Sequence, residues 1–178
     1  MGAAVGLRRI HWHIVLAVFG LLLARPSLAM NLLGAVLVLA GLALRACAAG
    51  YLEKGGALCT AGPYAWVRHP LYLGSFVSAL GFCVMMNVKW AWIAVLPLFI
   101  ILYALQISAE DRYLSSQYGE QHAAYAAQVP AILPRFTSSN RQRIPWRLER
   151  AILNREHWHV LLSLVLVGLF FANSQWGR

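Results

Sequence analysis

The sequence predicts an all-α fold, an integral-membrane helical bundle with about five transmembrane helices and cytoplasmic connecting helices. Hydrophobic residues make up 60% of the 178 residues and charged residues 12%, against roughly 45–50% and about 25% in soluble domains. The apolar residues are gathered into five runs. The net charge of +9 lies mainly between those runs, which indicates loops that face anionic lipid headgroups and not a nucleic-acid partner.

Five apolar runs are candidate spans, because a spanning helix needs about 20 residues. They are Ile10–Ala24, Leu28–Ala49, Leu71–Met86, Trp90–Ile107 and Trp158–Ala172. The first run has a second interpretation as a cleaved signal peptide, since GLRR precedes it and ARPSLA follows it. Both interpretations leave the topology of the later runs unchanged, and we treat 1–178 as a single membrane domain.

The basic residues also predict the orientation of the bundle. Most Lys and Arg residues precede the first run, separate the second from the third, or separate the fourth from the fifth. These three regions lie on the same side if all five runs span. By the positive-inside rule that side is the cytoplasm, and the protein is then a multi-pass membrane protein with an external C-terminus.

The connecting segments have distinct predicted structures. Asn87–Lys89 forms a tight turn between the third and fourth runs. The polar stretch Glu110–Val129 has tyrosines near helical spacing and predicts one cytoplasmic helix against the bundle. The remainder, 137–178, is a basic loop plus the last membrane helix, and within it Trp146–Arg155 predicts a short basic helix on the membrane surface.

Two groups of potential ligands have simpler explanations. Cys47, Cys59 and Cys83 form no CxxC pair, so we expect free thiols and assign no metal site. The tripeptide His-Trp-His opens two apolar runs, at 11–13 and 157–159. Residues two apart point to different faces of a helix, which favours interfacial anchoring over metal or haem ligation.

Arg45 lies inside the second run, four residues before Ala49. An ionisable residue within a span is a functional candidate by default. It is also close enough to the end of the run to extend its guanidinium to the interface. Both interpretations stay open from the sequence.

The stretch GPYAWVRHPLY places charge at the start of an apolar helix. Pro70 suits the first helical turn and disfavours a helical conformation at His69, so Arg68 and His69 lie just outside the helix. A guanidinium and an imidazole beside the positive end of a helix suit an anionic group such as a carboxylate. Tyr64 and Tyr72 add rings that can stack on a flat heterocycle or contact a cation.

An acidic pair, Glu110–Asp111, ends the fourth run. The hairpin topology brings it to the same face as Arg68 and His69. A ligand that matches both halves carries a carboxylate, an amine and an aromatic ring, and S-adenosylmethionine fits this description. The alternative is a structural ion pair between Arg68 and Glu110, and both remain open.

The order of these features resembles a known family. GPYxxVRHPxYxG, an apolar hairpin, the acidic pair and LxxxYGxxxxxYxxxVP resemble the isoprenylcysteine carboxyl methyltransferases and the related phospholipid methyltransferases. The matched segment, 55–136, is the predicted methyltransferase core. The resemblance implies a membrane methyltransferase that uses S-adenosylmethionine in a cytoplasm-facing site, joined to a lipid-facing tunnel for a lipophilic acceptor.

The family's cofactor contacts carry over onto named positions. The backbone near Leu58 and Cys59 also lines the cofactor by this resemblance. The implied cofactor-binding residues are Tyr64, Arg68, His69, Pro70, Leu71, Tyr72 and Glu110.

Two implied substrate-binding positions depart from the family pattern. Asp111 replaces a Glu and is one methylene shorter. Gln106 stands where the prenylcysteine enzymes have an Arg suited to the substrate carboxylate, and a neutral amide makes a weaker contact. The acceptor is therefore a prenylcysteine-type carboxyl group or another lipid group.

The sequence assigns no catalytic base. A carboxylate acceptor needs none, whereas an amine or phenol acceptor can pass its proton to His69, Glu110 or Asp111. Two other functions remain as alternatives: a non-catalytic membrane scaffold of the same fold, and a membrane reductase that uses NADPH.

Overall fold

The computed structural model describes residues 23–53, 55–135 and 144–176. Six α-helices and no strand occur in these ranges, which confirms the all-α class. A 3₁₀ turn at Gly62–Ala65 precedes the second helix, and a π-helical segment at Ala91–Val95 leads into the third. The helices are α1 Leu28–Tyr51, α2 Pro70–Met86, α3 Leu96–Tyr118, α4 Glu120–Gln128, α5 Leu148–Leu153 and α6 Glu156–Trp176.

Three of these segments are long and apolar enough to cross a membrane: Leu28–Tyr51, Ala91–Tyr118 and Glu156–Gln175. The apolar α2 has 17 residues, at the short end of the roughly 17–25 that span a bilayer. The chain is thus an integral membrane protein with a helical bundle. The first apolar run lies, up to residue 22, outside the described residues.

Small residues let α1 and α2 approach closely. A methyl group built on Gly74 would lie 2.7 Å from the carbonyl oxygen of Gly41, and one on Gly81 would lie 2.6 Å from that of Gly34. Backbone contact of this kind is a common way for helices to associate in lipid, where burial of apolar surface gives little driving force. It fixes the N-terminal end of α2, and with it Arg68 and His69, against α1.

The predicted helix Glu110–Val129 is wrong as a single element. Glu110 lies within α3, which continues to Tyr118. The chain breaks at Gly119, where φ is 48° and ψ is −120°, a conformation that favours glycine. The following α4 therefore turns away from the axis of α3.

The predicted surface helix Trp146–Arg155 is shorter in the structure, where α5 covers only the six residues Leu148–Leu153. Trp146 lies against Gly50, and the backbone N–H of Arg147 donates to the Gly50 carbonyl at 3.0 Å. The Asn154 side chain donates to the carbonyls of Ala49 and Leu52 at 3.0 and 2.9 Å. These contacts satisfy backbone groups at the C-terminal end of α1.

Candidate functional site at the start of α2

The segment before α2 is held by backbone pairing. The N–H groups of Arg68 and His69 donate to the carbonyls of Pro130 and Ala131 at 2.9 and 3.1 Å. Pro70 is the first helical residue, and His69 precedes it in a non-helical conformation (φ −120°, ψ 62°). The predicted placement of Arg68 and His69 just outside the helix is confirmed, and the turn after α4 keeps them there.

Asp111 is the centre of the polar cluster. Its Oδ1 lies 3.0 Å from His69 Nε2 and 3.5 Å from His122 Nε2, and its Oδ2 lies 3.4 Å from an Arg68 guanidinium nitrogen. The His69 and His122 side chains are only 3% and 4% exposed, and that of Asp111 is 25% exposed. Three basic groups on one carboxylate fix its position and theirs.

His122 was missed by the sequence interpretation. It is buried on α4, and its Nδ1 lies 2.9 Å from the Ser115 hydroxyl. It reaches Asp111 because the break at Gly119 folds α4 back. A single helix over 110–129 gives no reason to expect contact between positions 111 and 122. Only recognition of the helix break at Gly119 could have predicted this contact.

Tyr64 is the buried aromatic residue of the segment before α2. Its ring is buried, and its hydroxyl has no hydrogen-bond partner within the described ranges. Tyr125 donates to the Tyr64 carbonyl at 2.7 Å. Burial raises the pKa of Tyr64 well above 10.0, and the nearby Cys59 and Glu110 add to the rise. The phenol thus stays neutral in the folded protein.

Glu110 is half-buried and forms no ion pair or hydrogen bond with another described residue. The expected alternative of an Arg68–Glu110 ion pair is wrong, because Arg68 contacts Asp111 instead. The two carboxylates therefore differ in their roles. Asp111 contacts the basic groups, whereas the Glu110 carboxylate can still accept hydrogen bonds.

The other predicted site residues lie along α2 and α3. The Leu71 carbonyl accepts from the side chains of Arg45 and Ser75. The Tyr72 ring lies 5.7 Å from His69 and 5.3 Å, edge to face, from Tyr103. Gln106 is half-buried one turn before Glu110 on α3.

Arg45 forms a buried ion pair, a role that the sequence did not predict. Its guanidinium donates to both carboxylate oxygens of Glu156, at 3.0 and 2.8 Å, and also to the Leu71 carbonyl. The guanidinium joins α1 to the start of α2 and α6.

A cavity of about 460 Å³ lies elsewhere, at the other end of α1. The cavity is lined by Ala24–Leu28, Asn173 and Ser174. Its first lining residue, Ala24, is the second residue of the described structure. It shares no residue with the predicted site, so we keep the candidate site at the start of α2.

The fold and the site define a helical integral membrane protein with a buried polar cluster at one end of its bundle. The family model described as phospholipid methyltransferase matches residues 45–121. This range contains Arg45 and every predicted site residue, whereas His122 comes directly after it.

The curated relatives are of two kinds, metal-resistance proteins and protein-S-isoprenylcysteine O-methyltransferases. The chain is 36% identical over 119 residues to the cobalt-zinc-cadmium resistance protein CzcN of Cupriavidus metallidurans, covering 64% of this chain and 54% of the relative. It is 31% identical over 110 residues to the protein-S-isoprenylcysteine O-methyltransferase of Schizosaccharomyces pombe, with coverages of 60% and 45%. For protein-S-isoprenylcysteine O-methyltransferase B of Arabidopsis thaliana the identity is 33% over 82 residues, with coverages of 46% and 42%.

The chain spans about half the length of the curated relatives it matches. The predicted resemblance to the isoprenylcysteine carboxyl methyltransferase family, with its phospholipid methyltransferase relatives, is confirmed by these matches. The matched family model and the Schizosaccharomyces pombe relative are both methyltransferases by name.

Proposed function

We propose that this chain is an integral-membrane methyltransferase that uses S-adenosylmethionine and acts on a lipophilic acceptor. One observation carries the proposal. The half-buried Glu110, whose carboxylate forms no ion pair or hydrogen bond with another described residue, and the buried Tyr64 phenol both lie inside the stretch that the phospholipid methyltransferase family model matches. The acceptor is a prenylcysteine-type carboxyl group or another lipid group.

The residues present fit the amino-acid end of S-adenosylmethionine. Among the residues proposed to hold the cofactor, the Tyr64 hydroxyl and Arg68 Nε are buried and have no hydrogen-bond partner in the described chain. Unsatisfied buried groups are rare in native proteins and call for a ligand or water. Glu110 would hold the cofactor's amino group, and Arg68 with Tyr64 would hold its carboxylate.

The aromatic residues and the helix start complete the proposed cofactor site. Tyr72 would pack against the cofactor, while Pro70 and Leu71 place their backbone at the edge of the site. Arg68 and His69 both contact the Asp111 carboxylate, so Asp111 would hold Arg68 in position with the help of His69. When bound, S-adenosylmethionine supplies an electrophilic methyl group; the protein aligns the acceptor with it and excludes water.

The proposed site faces the cytoplasm and the acceptor enters from the bilayer. The orientation rests on the basic loops between the apolar runs. The proposal of a lipophilic acceptor is based on the apolar surface of α3, where Ile100, Ile101 and Leu105 are each about half exposed or more. In a bilayer this surface faces lipid, and α3 also carries Gln106 and Glu110.

Calorimetry of S-adenosylmethionine with the detergent-purified chain tests the proposal. Saturable binding is expected for the wild type. It should weaken by about 10- to 100-fold in Glu110→Ala, the range for a hydrogen bond to a charged group, and also in Arg68→Ala. Glu149→Ala on α5 is the matched control and should bind as the wild type does.

Absence of binding by folded wild-type protein would contradict the proposal. That result would favour the non-catalytic scaffold, and a titration with NADPH would then test the reductase. Equal and small effects in Glu110→Ala and Glu149→Ala would reject the assignment of Glu110.

A further inference from the structure

We propose that His69, Asp111, His122 and Ser115 form a proton-transfer route from the methyl-transfer site to the protein surface. The inference rests on the proposed function and deepens it. A route for a proton has a use only if the acceptor loses one. The acceptor atom is therefore a hydroxyl or an amine, and not a carboxylate, which carries no proton at neutral pH.

The route begins at His69. Because a carboxylate only accepts, His69 donates from Nε2 to Asp111 Oδ1 at 3.0 Å. Its Nδ1 is then the basic nitrogen, and it makes no hydrogen bond with another described residue. A buried imidazole with one nitrogen on a carboxylate and the other free has the arrangement of a general base.

The second step crosses from Asp111 to His122. Nε2 of His122 lies 3.5 Å from the same Oδ1, buried and without a hydrogen bond. Nδ1 of His122 is 2.9 Å from the Ser115 oxygen. We assign the proton of neutral His122 to Nδ1, so two acceptors, Oδ1 and Nε2, face each other with no proton between them. A proton delivered there converts the gap into a charge-assisted hydrogen bond.

The third step reaches the surface. His122 is 3% exposed as a residue, whereas Ser115 is exposed on α3. The His122 Nδ1 proton passes to the Ser115 oxygen, and the Ser115 hydroxyl proton passes to water. The buried His69 is thereby joined to solvent through side chains from the start of α2, α3 and α4.

Charged and titratable groups from every packed element face this route. An Arg68 guanidinium nitrogen lies 3.4 Å from Asp111 Oδ2, and the opposite oxygen, Oδ1, faces His69 and His122. Glu110 and Tyr64 belong to the proposed cofactor site, where the route begins. Tyr125 lies on α4, where burial raises the pKa of its phenol, so the phenol stays neutral.

The reaction balances with this route. The acceptor oxygen or nitrogen forms a bond to the methyl carbon, and the carbon–sulfur bond breaks with its electron pair remaining on sulfur. The acceptor's proton goes to His69 Nδ1, and the proton on Nε2 moves through Asp111 and His122 to Ser115 and water. The site returns to its starting charge with one proton released.

Three amphiphiles with the same alkyl chain test the acceptor class. The full-length chain in detergent is supplied with labelled S-adenosylmethionine and 4-dodecylphenol, dodecylamine or dodecanoate. Methylation of the phenol or the amine, with dodecanoate unreactive, is the expected result. Methylation of dodecanoate alone overturns the inference while leaving the proposed methyltransferase function intact, whereas failure to bind S-adenosylmethionine rejects that function itself.

Variants test the route with the best of these acceptors. His122→Gln and Ser115→Ala should lower kcat at least about 10-fold at pH 7, within the usual range of general acid–base catalysis. Affinity for S-adenosylmethionine should change less than about twofold, and the loss should shrink as buffer concentration rises. Ser116→Ala is the control, since its hydroxyl bonds the Tyr113 carbonyl of its own helix. A kcat unchanged by both route variants, or a loss that buffer never rescues, overturns the inference.

Nitrogen NMR of histidine-labelled protein needs no acceptor. Neutral His69 should carry its proton on Nε2 and neutral His122 on Nδ1. A proton fixed on His122 Nε2 throughout the titration would contradict the route, and His157→Gln identifies an exposed histidine for comparison.

Discussion

Arg45 and Glu156 form a two-point ion pair, with guanidinium–carboxylate distances of 3.0 and 2.8 Å, although 111 positions separate them. Their side chains are 11% and 7% exposed. The same guanidinium reaches the Leu71 carbonyl and the Ser75 hydroxyl on α2. Three helices therefore meet at one buried cation, at the end of the bundle that carries the candidate site.

Removing Glu156 should strongly destabilise the bundle. Glu156→Ala leaves a buried guanidinium without its counter-ion, and the loss of one partner of a buried pair costs about 3–5 kcal/mol. We expect a clear fall in the thermal unfolding midpoint of the purified protein in detergent. The double variant Arg45→Met with Glu156→Leu should recover much of that loss, because it removes both charges.

The exposed pair Arg150–Glu53 provides the control. Its atoms are 2.8 Å apart, but the Glu53 side chain is 65% exposed. Glu53→Ala should cost at most about 1 kcal/mol. Equal effects of Glu53→Ala and Glu156→Ala would show that the Arg45 pair is not the junction described here.

The α1–α2 contact should be intolerant of a single methyl group. Gly81→Ala brings its Cβ to 2.6 Å from the backbone oxygen of Gly34, so the helices must separate, at a cost of about 1–3 kcal/mol. Gly168→Ala on α6 meets nothing within 4 Å in the described structure and should be neutral or slightly stabilising. Thermal melts of both variants measure the difference, and equal melting points would contradict the close approach.

Much of the fold was accessible from the sequence because apolar runs and helix punctuation are local signals. Leu28–Ala49 and Leu71–Met86 were predicted within two residues of α1 and α2. The start of α2 was likewise set by Pro70. Residues whose roles depend on local sequence were placed well.

Pairing between distant elements was not accessible. Arg45 was expected to have a functional role or to extend to the interface, since nothing near it in sequence identifies Glu156 as its partner. Arg68 was predicted to pair with Glu110 and not with Asp111, because the sequence does not show in which direction each carboxylate points from α3. His122 required the fold-back at Gly119, which the tyrosine spacing concealed.

The break at Gly119 should be sensitive to any side chain. Its φ of 48° is costly for residues with a Cβ, by about 1–2 kcal/mol, and no contact within 4 Å would add to this. Gly119→Ala should therefore shift the histidine NMR signal of His122 and lower stability modestly. Gln117→Ala, exposed two residues earlier, should change neither. A wild-type His122 signal in Gly119→Ala would show that the turn tolerates a side chain and does not position His122.

Buried tyrosines predict a loss of stability at alkaline pH. Burial raises the pKa of Tyr64 and of Tyr125 above 10.0 in the folded protein. Below pH 10 both states keep the phenol protons, so these groups add no pH dependence. Above pH 10 the unfolded chain releases protons that the folded chain retains, so the free energy of unfolding falls as pH rises.

Replacing one of these phenols should flatten that fall. Each tyrosine that stays neutral contributes up to about 1.4 kcal/mol per pH unit above its unfolded pKa. Tyr64→Phe should lose one such contribution and keep the Tyr125 hydrogen bond, which uses the Tyr64 backbone carbonyl. Tyr113→Phe, whose ring is 61% exposed, is the control. Melting points from pH 8 to pH 11.5 measure the slope; if Tyr64→Phe and Tyr113→Phe fall as steeply as the wild type, the Tyr64 hydroxyl is open to water and not part of a buried site.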